Sequence, residues 1–278
     1  MLRLLTIELH KLKYNKSAKV ISIVYLILIT FIALISSIEF NFGDFHFRIA
    51  DQGIFNFPFI WHFNTYIAAI LKLFLAIVIV SMMANEYSNR TLKQNLIDGL
   101  SKKEFVLSKF LTVILFSVIS TLFVFGVSLI LGLMFSDYNE IGIIFSDIEY
   151  LFAYFIKLIG FFSFCLFLGV LVKRSAFALG FLLIWSIAEG IIYSVIKWKI
   201  FKDTDIAESI MQFFPLASMS NLIKEPFSRL GAVQSAANQL GEAFDKDYSV
   251  QPLTILIVLA WTFLFVYGSY YILKRRDL

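Results

Sequence analysis

The chain is poor in the residues most often used for chemistry. It has one cysteine, three histidines and only 16% charged side chains among 278 residues. The lone thiol, Cys165, excludes an internal disulfide and carries no information on redox compartment. His10, His46 and His62 all fall outside the middle of any apolar run, so an intramembrane H-E-x-x-H zinc site or a buried Ser-His pair cannot be assembled. No G-x-x-x-x-G-K-[ST] phosphate loop occurs, which excludes ATP hydrolysis by that route on this chain. Internal repeats and a second soluble domain are also lacking. Strand-like alternation of apolar and polar residues is missing too, which argues against a barrel.

Apolar side chains fill that space. They make up 59% of the chain, aromatics 17% with 32 Phe, and the mean hydropathy is +0.82. Such values belong to an integral membrane protein. Six runs are long enough to cross a hydrocarbon core about 30 Å thick as helices: Val20 to Ile38, Thr65 to Met83, Phe110 to Phe135, Tyr150 to Val172, Ala176 to Ile196 and Leu253 to Leu273. The expected fold is therefore an all-α membrane protein with six transmembrane helices in a single domain over 1–278. The first run has a basic flank, but its 19 residues exceed the 7 to 15 of a signal core, so it is expected to remain as a span.

Basic residues orient the spans. Arg3, Lys11, Lys13, Lys16 and Lys19 precede the first; Arg90, Lys93, Lys102, Lys103 and Lys109 join the second to the third; Lys173 and Arg174 join the fourth to the fifth; Lys274, Arg275 and Arg276 follow the last. The other side has Arg48 in its first loop, and only acids in Ser136 to Glu149. Both termini are therefore expected in the cytoplasm, with the protein in the inner membrane. The basic residues of 197–251 do not reverse this, because long loops translocate largely regardless of charge and seven acids accompany them.

Residues 1–18 read as a surface helix. Leu2, Leu5, Leu9 and Leu12 share one face of Met1 to Lys16, with Glu8 and Lys11 placed to reach headgroups. A plain basic flank is the alternative. The loop Glu39 to Asn64 is rich in Phe and ends in Pro58, Trp61 and His62, a position that suits interfacial anchors. The external loop 197–251 divides at Pro215 and Glu225-Pro226 into three short helices, Ile206 to Phe214, Pro215 to Ile223 and Leu230 to Phe244. Its apolar stretch Ile210 to Leu216 is expected to dip back into the bilayer, and the last helix to lie on the surface.

Lys72, Lys157 and Glu189 each lie about eight residues inside a span, roughly 12 Å deep at 1.5 Å per residue. Three readings stand. An ion pair could lock spans two, four and five; an excess of positive charge could face a cavity and attract an anionic group; or either lysine could snorkel to headgroups. Gly126, Gly132, Gly160 and Gly169 allow close helix approach.

The densest polar insert is the cytoplasmic loop 85–109. Glu86, Arg90 and Lys93 extend the second span by further turns, Asp98 to Leu100 makes a turn, and Ser101 to Glu104 forms an S-x-x-E capping box that leads Phe105 to Leu107 onward. A short helix across the membrane surface is the expected result. Glu86-Tyr87-Ser88-Asn89-Arg90-Thr91-Leu92, then Asn95 to Ser101, Lys103-Glu104-Phe105 and Ser108-Lys109, resembles the E-(x)n-G-T-L loop of ABC-2 type permeases, with Arg90 where many members have Gly. The layout of surface helix, six spans and long loop before the last span resembles the same family.

That resemblance implies a permease subunit of an ATP-binding cassette exporter, itself without catalytic residues. ATP and magnesium would belong to a separate ATPase, and a second permease subunit, identical or related, would complete the pathway. Membrane lipid is a partner; nucleic acid is not. Asp98 to Leu107 would be the coupling helix, making Asp98, Ser101, Lys102, Lys103 and Phe105 contact residues. Glu86 and Arg90 would hold the loop rigid. Two alternatives stand beside this: an ATPase-coupled membrane anchor of an envelope or signalling machine, and an intramembrane enzyme.

Overall fold

The structure, a computed structural model, describes residues 2–35, 39–42, 45–48, 53–200, 204–239 and 246–276. Two helices open it, α1 (Leu2–Tyr14) and α2 (Lys16–Ile35), followed by a two-stranded hairpin of β1 (Glu39–Phe42) and β2 (Phe45–Arg48). Next come α3 (Phe59–Ser88), α4 (Thr91–Ile97), α5 (Lys102–Phe135), α6 (Ile141–Ile144), α7 (Glu149–Val172) and α8 (Ser175–Val195), which continues as a π-helical turn, Ile196–Ile200. The chain then forms α9 (Thr204–Met211), α10 (Pro215–Asn221), a 3-10 turn at Phe227–Arg229, α11 (Gly231–Gln239) and α12 (Pro252–Arg275).

Among the described residues, five helical stretches are long and apolar enough to cross a membrane: α3, α5, α6 with α7, α8 with its π turn, and α12. The sixth expected run falls in α2. Its last residues, 36–38, lie outside the described residues, and it counts as a span only when α1 and α2 are taken as one element bent by 88°. The bend is made at Asn15, whose side chain accepts the Ala18 amide at 3.1 Å and caps the new helix. A right angle here sets α1 across the end of the bundle. The fold is the expected all-α membrane protein, with one small antiparallel hairpin, Glu39 opposite Arg48 and Phe42 opposite Phe45, added to it.

Helix α7 sits at the centre, packed against α3, α5, α8 and α12 and buried over most of its length. Glycine permits two of these approaches. A methyl group at Gly169 would lie 2.9 Å from Met83 Cβ on α3, and one at Gly160 would lie 2.7 Å from Val258 Cγ1 on α12. Gly132 likewise faces the Phe57 ring, whereas Gly126 faces open space and brings nothing close. Polar atoms also join α7 to its neighbours. The Tyr25 and Tyr154 hydroxyls are 2.7 Å apart, and Ser120 completes a buried cluster between α2, α7 and α5.

One end of the bundle carries α1, α4, the α7–α8 turn and the basic end of α12. At the far end, Trp61 and His62 are fully buried, which corrects the expectation of interfacial anchors. The Trp61 indole donates to the Ile144 carbonyl at 2.7 Å and stacks on Phe125. His62 stacks on Tyr150 with centroids 4.2 Å apart; its Nδ1 accepts from Arg229 at 3.0 Å, so Nε2 donates to the Lys224 carbonyl at 2.9 Å. Residues 53–58, α6 and the long loop fold over both rings and bring them into the core.

The long loop holds three short α-helices as expected, although the last ends at Gln239 and residues 240–245 lie outside the described residues. Beyond them Glu225 anchors the return of the chain. Burial raises its proton affinity, but hydrogen bonds from Ser228 and from Lys246, at 2.9 Å, outweigh burial and hold the carboxyl below its usual range. Donating that same bond to Glu225 raises Lys246.

Candidate functional site

Two polar sites are built into this frame. The first lies where α1, α3, α4 and α5 meet. Helix α3 extends past its apolar run, so that Glu86 points back into the bundle at 3% exposure. Lys109, on the first turns of α5 and fully buried, reaches both Glu86 and Glu8 of α1, the latter at 2.7 Å. Lys11 closes the ring with 2.7 Å to Glu86 and 3.6 Å to Glu8. Two acids thus face two bases. Glu86 also accepts from Thr91 at 2.6 Å and Asn95 at 3.4 Å, which fastens α4 to the same carboxylate. An open cleft of about 450 Å³ runs beside this cluster, lined by Lys11, Asn15, Asn89 and Thr91 among others.

Glu86 thus bonds two residues of α4 to the end of α3, whereas Arg90 makes no such contact through its charge. Its side chain makes no hydrogen bond or ion pair among the described residues, and its backbone is left-handed, φ 57°, at the break between α3 and α4. A left-handed residue after a helix is the position glycine suits best, which accounts physically for the glycine that the resembling loops carry there. Gly99, φ 96°, makes the next turn.

The short helix expected over Asp98 to Leu107 is displaced. Asp98 to Leu100 is a turn, and from Lys102 the chain is already α5, continuous to Phe135. The separate short helix of the connection is α4, Thr91–Ile97. The capping box forms as expected: the Ser101 hydroxyl accepts the Glu104 amide at 3.2 Å and Glu104 accepts the Ser101 amide at 2.9 Å. Because nothing between Lys102 and Phe110 breaks the helix, a start made at Ser101 runs directly into the span. Phe105 is buried in the core and offers no contact surface. Asp98, Ser101 and Lys103 are exposed beside Ile97, an apolar side chain 75% exposed.

Lys102 has a structural partner of its own. It donates to the carbonyls of Lys274 at 3.3 Å and Arg276 at 2.9 Å, capping the end of α12. Arg276 in turn donates to the carbonyls of Val170 and Leu171, the latter at 2.9 Å, and to the Tyr87 hydroxyl at 3.3 Å. The ends of α3, α5, α7 and α12 are joined by these two side chains.

Glu8 corrects another expectation, being buried against Lys109 and not directed at headgroups. Its partnership was hidden because α1 lies 100 residues from α5 in sequence. Lys109, a lone base entering an apolar run, was the one available signal.

The second site lies between α3, α7, α8 and α10. Glu189 makes no ion pair with Lys72 or Lys157. Its carboxylate accepts the Trp185 indole at 2.7 Å and the amides of Leu216 and Ala217 at 3.1 and 2.9 Å, capping the first turn of α10. At the other end of α10, Lys157 donates to the Ser220 carbonyl at 3.4 Å. An acid at the start and a base at the end match the helix dipole. The Lys72 ammonium lies 4.6 Å above the Phe161 ring. Both lysines line a cavity of about 330 Å³ that also touches Tyr66, Ser186 and Met219. A wider opening of about 800 Å³ adjoins it, with Glu189, Glu225 and Lys246 in its lining.

Residues 50–272 match the family described as ABC-2 family transporter protein. No curated protein matches the chain. The matched region takes in both polar sites apart from α1, along with the first four spans that pass by length and composition and all but the last three residues of the fifth. This multi-pass membrane protein is a permease-type component and belongs to the ABC-2 transporter family.

Proposed function

We propose that the chain is the membrane subunit of an ATP-driven exporter in the cytoplasmic membrane, with ATP and its magnesium handled by a separate ATPase. The buried Glu8–Lys11–Glu86–Lys109 cluster is the observation that carries this reading. It joins a helix lying across the bundle end to the connecting helix α4 and to two apolar helices, so a push on α1 or α4 reaches α3 and α5 without slack. Basic residues crowd this end, which by the positive-inside rule favours a cytoplasmic position for it and for both termini. The ATPase then seats on α4 and on the turn that follows, with Ile97, Asp98, Ser101 and Lys103 as contacts. This relocates the coupling element from Asp98–Leu107 to Thr91–Ser101.

Pairing with a second permease subunit, identical or related, encloses a pathway on the side of α8. Of that helix only Ala178, Leu182 and Glu189 are buried within this chain. Helix α10 meets α7 at Lys157 and Gly160, eight and eleven residues into α7, about 12 to 16 Å along its axis, which favours a re-entrant loop.

Affinity purification of the tagged full chain from its native membrane tests the proposal. An ATPase subunit is expected to co-purify, and Ile97→Asp with Lys103→Glu to abolish both its retention and its vanadate-sensitive activity while the permease remains inserted. Retention of a fully active ATPase by that variant overturns the docking surface, and recovery of no ATPase with the unaltered chain overturns the exporter reading.

A further inference from the structure

The two lysines of the mid-bundle cavity have no acid to answer them. Glu189, the acid at their level, is engaged by an indole and two backbone amides. Among the described residues neither Lys72 nor Lys157 forms an ion pair. Lys157 is 4% exposed and makes one long hydrogen bond, leaving most of its donor capacity unused. Lys72 has only the face of Phe161, one helical turn beyond Lys157. Neither side chain snorkels to a headgroup region; both turn inward on the same cavity. Cations held in an apolar bundle without a counter-charge are unfavourable, a cost that an incoming anion offsets.

The cavity opens sideways. Its rim includes Ile70, Leu73 and Leu183, all apolar and all exposed on the flank between α3 and α8. Tyr66 and Ser186 line the cavity together with the lysines. At about 330 Å³ it sits at the lower end of the range of ligand pockets, enough for a head group and the start of a chain.

We infer that this cavity takes the anionic head, carboxylate or phosphate, of a single-chain amphiphile, held by Lys72 and Lys157, with the acyl body leaving between α3 and α8. The inference rests on the permease reading for its purpose, since such a ligand is the molecule moved. Its test does not depend on that reading, because it needs neither ATP nor an ATPase.

The full chain in nanodiscs of zwitterionic lipid is titrated with radiolabelled palmitate, with lysophosphatidate as the phosphate-headed competitor, monoacylglycerol as the neutral chain and inorganic phosphate as the free anion. Saturable palmitate binding, displaced by lysophosphatidate and at least about tenfold weaker for monoacylglycerol, is expected from charge-assisted bonds to the head. Lys72→Met and Lys157→Met are each expected to weaken binding by about tenfold or more, and Lys72→Arg to retain most of it. Lys72 is partly exposed and structurally unpaired, so its variant carries the test if Lys157→Met fails to fold. Equal binding of the neutral chain, competition by inorganic phosphate as strong as that of lysophosphatidate, or full affinity in Lys72→Met overturns the inference.

Discussion

Replacing Lys109 by Ala is the sharpest probe of the four-residue cluster. Lys109 is fully buried between Glu8 and Glu86, and at its 2.7 Å contact with Glu8 the gross attraction is about 6 kcal/mol for an effective dielectric of about 20. Desolvation of three buried ions offsets most of that, so the intact cluster adds little net stability. Removing Lys109 is different. Two buried carboxylates then keep Lys11, which is 33% exposed on its side chain, as their one counter-charge among the described residues. Leaving buried charge without its partner costs about 3–5 kcal/mol. Lys11→Ala, which removes the partly exposed base, is expected to cost about 1 kcal/mol or less. Denaturant unfolding of the purified chain in micelles, followed by tryptophan fluorescence, measures both. Glu8→Gln should recover part of the Lys109→Ala loss, with a coupling energy of about 0.5–3 kcal/mol. A Lys109→Ala cost below that of Lys11→Ala, or strict additivity with Glu8→Gln, refutes the argument that α1 is tied to α5 through charge.

Arg90→Gly is expected to stabilise the α3–α4 junction by about 1 kcal/mol, because a left-handed residue loses its Cβ penalty; a lowered unfolding midpoint in the same assay contradicts this. In the far-end loop, Glu225 binds its proton less readily when folded than its ordinary 4.5, so its contribution is present above that pH and is lost as pH falls through the lower folded value. Lys246 is raised above its ordinary 10.5, so its contribution is present below that pH and disappears only as pH rises beyond it. Hydrogen exchange across 225–250 should therefore be flat from about pH 6 to 9 and quicken, after correction for intrinsic rates, below about pH 4; a step near neutrality contradicts the assignment.

Much of the fold was legible because spans are written in runs of apolar residues that need no knowledge of their neighbours. Ser101-x-x-Glu104 likewise specifies a helix start from four adjacent residues, and it formed where expected. What could not be read was partnership across distance. Glu189 was matched with lysines at its depth, whereas backbone amides of α10, brought near by the long loop, satisfied it first. Trp61 and His62 looked like residues of a membrane interface because their composition fits one; the loop that covers them lies more than 80 residues away. The short helix of the connection was misplaced by one element for a local reason. A cap at Ser101 says where a helix begins and nothing about where it ends.

The clasp at the basic end also bears on how the protein is made. The last carbonyls of α7 wait for Arg276, and Lys102, which emerges from the ribosome far earlier, waits for the end of α12. Every earlier helix can enter the bilayer as it is synthesised, and Lys109 can already tie α5 to α3 through Glu86, yet the clasp that adds α7 and α12 to them at this end cannot close until α12 has been inserted. Assembly is thus staged. A truncation or a stalled ribosome within α12 leaves a set of inserted but unclasped helices, a ready substrate for membrane proteases.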